Sequence, residues 1–457
     1  MELRSTAAPS LATSHPVPRR SRWAAVPSRD RYLLLFLLVH APFSVWLRTQ
    51  ETIATFHALA VLGVGVWFLT VQYRPAIAIC AAAYIAGAEV IWRMAGIRIF
   101  WEFSKYAALL ILLLAFVRLP RYKTTNWWAL FYLGLLIPSV GLTVQQLGLG
   151  LARDAISFNL SGPVSLAVAV LFFSSVRADA LDLEMILFAI LGPLLGVLAI
   201  CTYGTVAASY IRFEAESNFA TSGGFGPNQV SALLGLGALL SLLLAFQHSR
   251  PWMRWTFFGL TGAFLVQGVL TFSRGGVINA VVCIAFLCVH LIRQPRVRLM
   301  VLGVLVVFTF LGAAVIIPRL NTFTGGALQE RYSSTSGGLR KTIAEEELEI
   351  WEDHPMLGVG PGMSKYYRSD LLGTEVASHT EFTRLLSEHG TLGLLALLVL
   401  VGIAASCYFK APTVLEKAWV SAFSGWTFIE MSHSAMRIVA ISFIFALATV
   451  QWWRRKA

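Results

Sequence analysis

Three of the nine histidines, His354, His379 and His389, fall within one polar stretch, residues 351–393, flanked by long apolar runs. Imidazole titrates near neutrality, which suits it to take a proton from a hydroxyl at physiological pH. Pro355, Gly358, Gly360, Pro361 and Gly362 force turns over 354–362. Farther on, Ser378-His379-Thr380-Glu381 has the form of a capping box, with Ser378 capping a helix and Glu381 reaching back to its amide. That places His379 in the first turn of a helix continuing past Gly390 and Gly393 into the apolar run 391–407. His354 is either a binding group or the structural residue of a Pro/Gly turn. His389, at the edge of the apolar run, is expected to play no part.

A second group of residues could hold an anion. Arg274, in TFSRGG (271–276), stands between two apolar runs with few polar neighbours. It could snorkel to an interface, but an arginine at membrane depth is by default a functional candidate. Its planar, permanently charged fork suits phosphate oxygens. Residues 204–228 end in a glycine-rich turn, within SGGFGPNQVS (222–231), that runs straight into an apolar segment. Glycines let backbone approach a ligand, and a helix N-terminus presents free amides to an anion. Arg212 lies in this loop among Glu214 and Glu216, so surface ion pairing is its alternative. Glu89, Arg93, Arg98, Glu102 and Lys105 cluster earlier in the chain. They form either a solvated loop or the wall of a substrate cavity, with Arg93 and Lys105 the favoured binding groups. Glu430, His433 and Arg437 in IEMSHSAMR are a plain loop or further polar lining.

The elements that must position these groups are membrane helices. Hydrophobic residues make up 57% of the chain and charged residues 13%, which excludes a soluble domain. Apolar runs of spanning length fall near 32–47, 53–71, 76–92, 106–118, 127–147, 156–174, 185–203, 229–247, 255–272, 277–292, 299–317, 390–409, 418–430 and 438–453. The expected fold is therefore an all-α integral membrane protein with about 12–14 transmembrane helices and one large extracytoplasmic loop containing short helices. A basic tail (1–31), expected to be disordered, precedes a transmembrane bundle (32–317), a loop over the site (318–389) and C-terminal transmembrane helices (390–457). With the tail inside and the spans alternating, Lys and Arg concentrate on the cytoplasmic side. The net charge of +12 is then a topology signal and not a nucleic-acid footprint. Both termini are expected in the cytoplasm, with the histidines and Arg274 outside. Asn159, Ser161, Gly162 and Pro163 suggest a broken helix, and 339–353 a helix with Leu339, Ile343 and Ile350 on one face. The five cysteines lie in apolar runs without metal-type spacing.

The motifs SGGFGPNQVS (222–231), TFSRGG (271–276), HPMLGVGPG (354–362) and SHTEFTRLLSEHGTLGLL (378–395), in this order and setting, resemble the bacterial O-antigen ligase/polymerase superfamily. The resemblance implies a glycosyltransferase of the bacterial inner membrane that moves a glycan from a polyprenyl diphosphate carrier to a sugar hydroxyl of a glycan or glycolipid acceptor. It implies Arg212 and Arg274 on the diphosphate, His379 as base or acceptor-orienting group, and Asn228, His354, Arg93, Lys105 and Arg437 lining the substrate. Cationic side chains replace a metal in this family, and no D-x-D pair occurs here. No metal or other cofactor and no nucleic-acid partner is expected, only membrane lipids and the two glycan substrates. Polymerases and ligases share this donor chemistry. The six carboxylates Glu345, Glu346, Glu347, Glu349, Glu352 and Asp353 would repel an anionic glycolipid and so favour a polymerase over a ligase acting on lipid A core. A lipid-linked glycan flippase is the alternative of another class. It should carry charges or paired broken helices near the bilayer midplane, and the sequence offers neither.

Overall fold

The computed structural model describes residues 28–72, 75–118, 125–177, 182–333, 338–368 and 376–451. The basic N-terminal tail up to residue 27, the loop carrying Arg121 and Lys123, Ser334 and the C-terminal Arg454-Arg455-Lys456 lie outside the described residues.

Among the described residues all regular structure is helical, apart from a single bridge between Arg177 and Gln451. The helices are α1 (Ser28–Leu47), α2 (Glu51–Thr70), α3 (Pro75–Met94), α4 (Phe103–Arg118), α5 (Trp128–Leu136), α6 (Val140–Ser175), α7 (Leu183–Ala207), α8 (Pro227–Gln247), α9 (Pro251–Leu270), α10 (Arg274–Leu291), α11 (Pro295–Leu311), α12 (Ile317–Phe323), α13 (Ala327–Ser333), α14 (Gly338–Asp353), α15 (Ser364–Tyr367), α16 (Glu381–Lys410), α17 (Val414–Met431) and α18 (Val439–Leu447). Nine helical stretches among the described residues are long and apolar enough to cross a membrane. The chain is an all-α multi-pass membrane protein.

Every apolar run read from the sequence is helical, but three differ in shape from a simple span. The run at 127–147 is interrupted at Pro138, leaving α5 nine residues long. Proline has no amide to continue the ladder. The run at 438–453 holds only α18, also nine residues and wholly buried; at 1.5 Å per residue it cannot cross a bilayer alone. The helix beginning at 295 passes through a π-turn at Gly312–Ile316 into α12, so it ends at Phe323. The break expected at 159–163 lies elsewhere. α6 is kinked at Gly148 (φ 72°, ψ 162°) and runs on through Pro163. Gly162 serves close packing instead: a Cβ there would meet Met436 Cβ at 2.7 Å, and its carbonyl accepts from Ser442 on α18 at 3.0 Å.

Long-range contacts show which turns share an end of the bundle. At one end, Arg250 pairs with Asp30 at 2.7 Å and His248 with Glu184 at 3.2 Å. At the other, Arg98 pairs with Glu51, Arg93 reaches Gln229 and the Arg437 carbonyl, and Arg340 reaches Asn228. Every candidate residue with a contact of this kind therefore collects at one end.

Candidate functional site

The turn before α10 is built around TFSRGG. Phe272 adopts φ 58°, a conformation few non-glycine residues tolerate. It is held there by stacking on Phe213 (5.4 Å between centroids) and by Arg331 Nε, which donates to its carbonyl at 3.0 Å. Ser273 precedes the helix and donates to Asn228 Oδ1 at 2.9 Å. The same oxygen accepts from Arg340 Nη2 at 2.8 Å. Asn228 thus joins the glycine-rich turn entering α8, the start of α10 and the start of α14. Gly275 and Gly276 permit this closeness: Cβ atoms there would meet His433 Cδ2 and Ser231 Oγ, each at 2.2 Å.

These contacts gather a group of cations. Burial and the neighbouring charges of Arg331 and Arg274 lower the pKa of Arg340. Burial and Arg274 do the same to Arg331, and burial and Arg340 to Arg437. Positive side chains from α10, α13, α14 and the turn after α17 therefore lie near enough to act on one another's charge, which suits the place to an anion.

The HPMLGVGPG turn docks on a kink in α16. Gly390 has φ 61° and ψ −142°. The amides of Val359 and Gly360 donate to the Ser387 and Glu388 carbonyls, each at 2.9 Å, and Thr391 N donates to Pro355 O at 2.7 Å. His389 is buried below this junction against Ser139, at 2.5 Å. It is enclosed away from the arginines around His379, Arg384 excepted. His354, at the end of α14, is exposed, with its ring 5.5 Å from Tyr367.

His379 stands just ahead of α16, not in its first turn. The cap is Thr380, whose Oγ1 accepts from Phe382 N at 3.1 Å. The Ser378 hydroxyl is taken by Glu347, itself ion-paired with Arg368 at 2.5 Å, and Thr383 donates to the same carboxylate. Glu381 is not a capping group either. It pairs with Arg384, which also holds Glu388 at 2.7 Å, and it accepts from Met436 N at 3.2 Å. These buried pairs clamp α14, α15 and α16 and fix the strand-like segment 376–379. Arg437 completes the clamp by donating to the Ala377 and Ser378 carbonyls at 3.1 and 2.6 Å. His379 Nδ1 is buried without a hydrogen-bonding partner. Burial first, then Arg437, Arg340 and Arg368, push its pKa down to about 4. At neutral pH it is an uncharged imidazole with a lone pair, the form a base requires.

The structure brings Arg274, Asn228, His379 and Arg437 to one site and adds Arg340 and Arg331, which the sequence reading missed. Arg340 is the link, since its charge acts on His379 and is itself acted on by Arg274. A signal existed: Arg340 opens the helix expected at 339–353, at the end away from its carboxylates. Of the other candidates, Arg212 stands apart, while Arg93 and Lys105 border the site as members of buried ion pairs. Arg212 is exposed on its loop and pairs with Glu214 at 2.6 Å. Arg93 is buried against Glu89 at 2.7 Å and lies over Trp101. Lys105 is buried between Glu102 at 2.5 Å and Ser161 at 3.2 Å. The last two tie α3 and α4 to their neighbours and so border the site from below. Among the described residues no group of three or more His, Cys, Asp or Glu is placed to hold a metal ion.

Residues 263–398 match the model of a family described as O-antigen ligase. The match, over about a third of the chain, supports a place in the O-antigen ligase-related superfamily. With the membrane helices, it supports a membrane glycosyltransferase of the O-antigen ligase/polymerase type in general. The matched segment contains Arg274, Arg331, Arg340, His354 and His379, while Asn228, His433 and Arg437 lie outside it. No curated protein matches the chain.

Proposed function

We propose that this O-antigen ligase-related protein transfers glycan from a polyprenyl diphosphate to a sugar hydroxyl at the outer face of the bacterial inner membrane, without a metal. The observation that carries the reading is the joining of the starts of α8, α10 and α14 through Asn228, Ser273 and Arg340, which sets several arginines near a buried His379 Nδ1 that has no hydrogen-bonding partner. Arg274 and Arg340 bind the diphosphate and stabilise the negative charge it gains as the glycosidic bond to it breaks. His379 takes the proton of the acceptor hydroxyl as that oxygen attacks the anomeric carbon. Arg437 sets the position of His379 through the 377–378 carbonyls, and Asn228 sets that of Arg340. Arg212, exposed on its loop, is left as a group that can meet the donor only from outside the cluster.

We further favour a repeat-unit polymerase over a ligase. Two of the six carboxylates behind that preference do not face an acceptor, because Glu346 and Glu347 are buried and Glu347 is neutralised by Arg368. Glu345, Glu349, Glu352 and Asp353 remain exposed, and an anionic glycolipid docking over α14 would meet them. The test is the glycan left on the carrier lipid in a deletion strain. Single repeat units support polymerisation, whereas long chains accumulating on the carrier identify a ligase.

A further inference from the structure

His433 lies in the turn after α17, beyond the matched segment, and its ring packs against Gly275, next to Arg274 in the chain, where a Cβ would lie 2.2 Å from Cδ2 and 2.5 Å from Nε2. Nδ1 donates to the Ile429 carbonyl at 2.9 Å. Nε2 lies 3.2 Å from Glu430 Oε2. With Nδ1 donating, a neutral ring would place the Nε2 lone pair beside this carboxylate; a second proton there makes the contact an ion pair, without the alignment of a hydrogen bond. Glu430 is completely buried; its other close partner is Asn279 Nδ2, at 3.2 Å on the same oxygen. The groups facing this pair are therefore Asn279 and the Arg274–Gly275 turn of α10, and Arg340 of α14, whose charge acts on His433. Burial disfavours the imidazolium, but Glu430 outweighs it and holds the pKa above the usual histidine value.

We propose that His433 is a proton-controlled positioning residue of the donor site: its imidazolium neutralises the buried Glu430 carboxylate behind the Arg274–Gly275 turn, so that the positive potential of Arg274 and Arg340 is directed to a prenyl diphosphate. This rests on the reading of those arginines as diphosphate groups. Once the ring loses its proton, Glu430 becomes an uncompensated anion at the back of an anion site. Donor affinity then falls as pH rises through the raised pKa. The direction is opposite to that of His379, which must be neutral to act.

The test is binding of farnesyl diphosphate to the full chain in nanodiscs, from pH 5.5 to 8.5, in a double-mutant cycle. At pH 6, His433→Gln should weaken binding roughly tenfold, the order expected for one uncompensated charge several ångströms from an anion at intermediate dielectric. The ratio of wild-type to His433→Gln affinity should fall toward one at high pH; taking the ratio removes the ligand's own titration. In the Glu430→Gln background the same substitution should cost less than about twofold at every pH, because no carboxylate remains to be masked. An equal loss in both backgrounds, independent of pH, would reduce His433 to a packing residue and overturn the proposal. If the wild type binds no farnesyl diphosphate, or Arg274→Ala and Arg340→Ala bind it as well as the wild type, the underlying reading fails too, and the two failures are told apart by those arginine variants.

Discussion

His379 and His433 are shifted in opposite directions from the ordinary imidazole value. The difference comes from their neighbours, since His379 faces three arginines and His433 faces a carboxylate. For His379 the sign is fixed by its depressed pKa. The neutral form, needed to accept a proton, predominates above about 4 and is lost as pH falls through that value. The acidic limb of the transfer rate, corrected for donor occupancy, is therefore expected near pH 4–5 rather than near the ordinary imidazole value of about 6.5. A limb at 6.5 or higher would mean that His379 is not held by these arginines or is not the base. None of this was legible in the chain. The residue types were visible, but their partners come from helices far away in sequence, and only those partners set the charge states.

At the scale of elements, the outer stretch is ordered by backbone fit as much as by ion pairs. Gly358 (φ 63°) sits against the kink of α16, where a Cβ would lie 2.4 Å from the Glu388 carbonyl carbon and 2.5 Å from His389 N. Backbone on both sides leaves nothing to yield. Gly358→Ala is expected to destabilise the protein by about 2–4 kcal/mol through steric overlap and a left-handed conformation that alanine resists. His354→Ala, at an exposed position four residues away, should stay within about 0.5 kcal/mol. Thermal unfolding of both variants in the same detergent checks the contrast, and similar melting temperatures would mean that the turn is not docked as described. The Pro/Gly turn itself was readable from its residues. The cap was not: Ser378 and Thr380 both offer a hydroxyl with an acidic or polar residue following. Glu347 takes the first hydroxyl, so the helix starts two residues later than the motif suggested. On α14 the same carboxylate turned a helix face expected to be acidic and exposed into a buried one, beside Ile343 and Ile350.

Across the whole molecule, apolar runs located the helices because a membrane segment must satisfy its backbone internally and present apolar side chains outward. Run length did not reveal which helices cross the bilayer. α18 is as apolar as any span, yet it is short and enclosed by neighbours, because packing between helices and contact with lipid favour the same residue types. Likewise Arg93 and Lys105 were readable as candidates but not as buried clamps, since Ser161 and Gln229 approach them only in the folded bundle. The account stands on a division of labour between Arg340, which holds the donor, and His379, which moves the proton. The most direct measurement sets donor binding beside single-turnover transfer for each variant, in proteoliposomes loaded with lipid-linked glycan. His379→Ala should bind donor like the wild type and lose about 10²–10⁴-fold in transfer, the range for a general base, while Arg340→Ala should lose donor binding itself. Transfer by His379→Ala within twofold of wild type, with binding intact, would contradict the account.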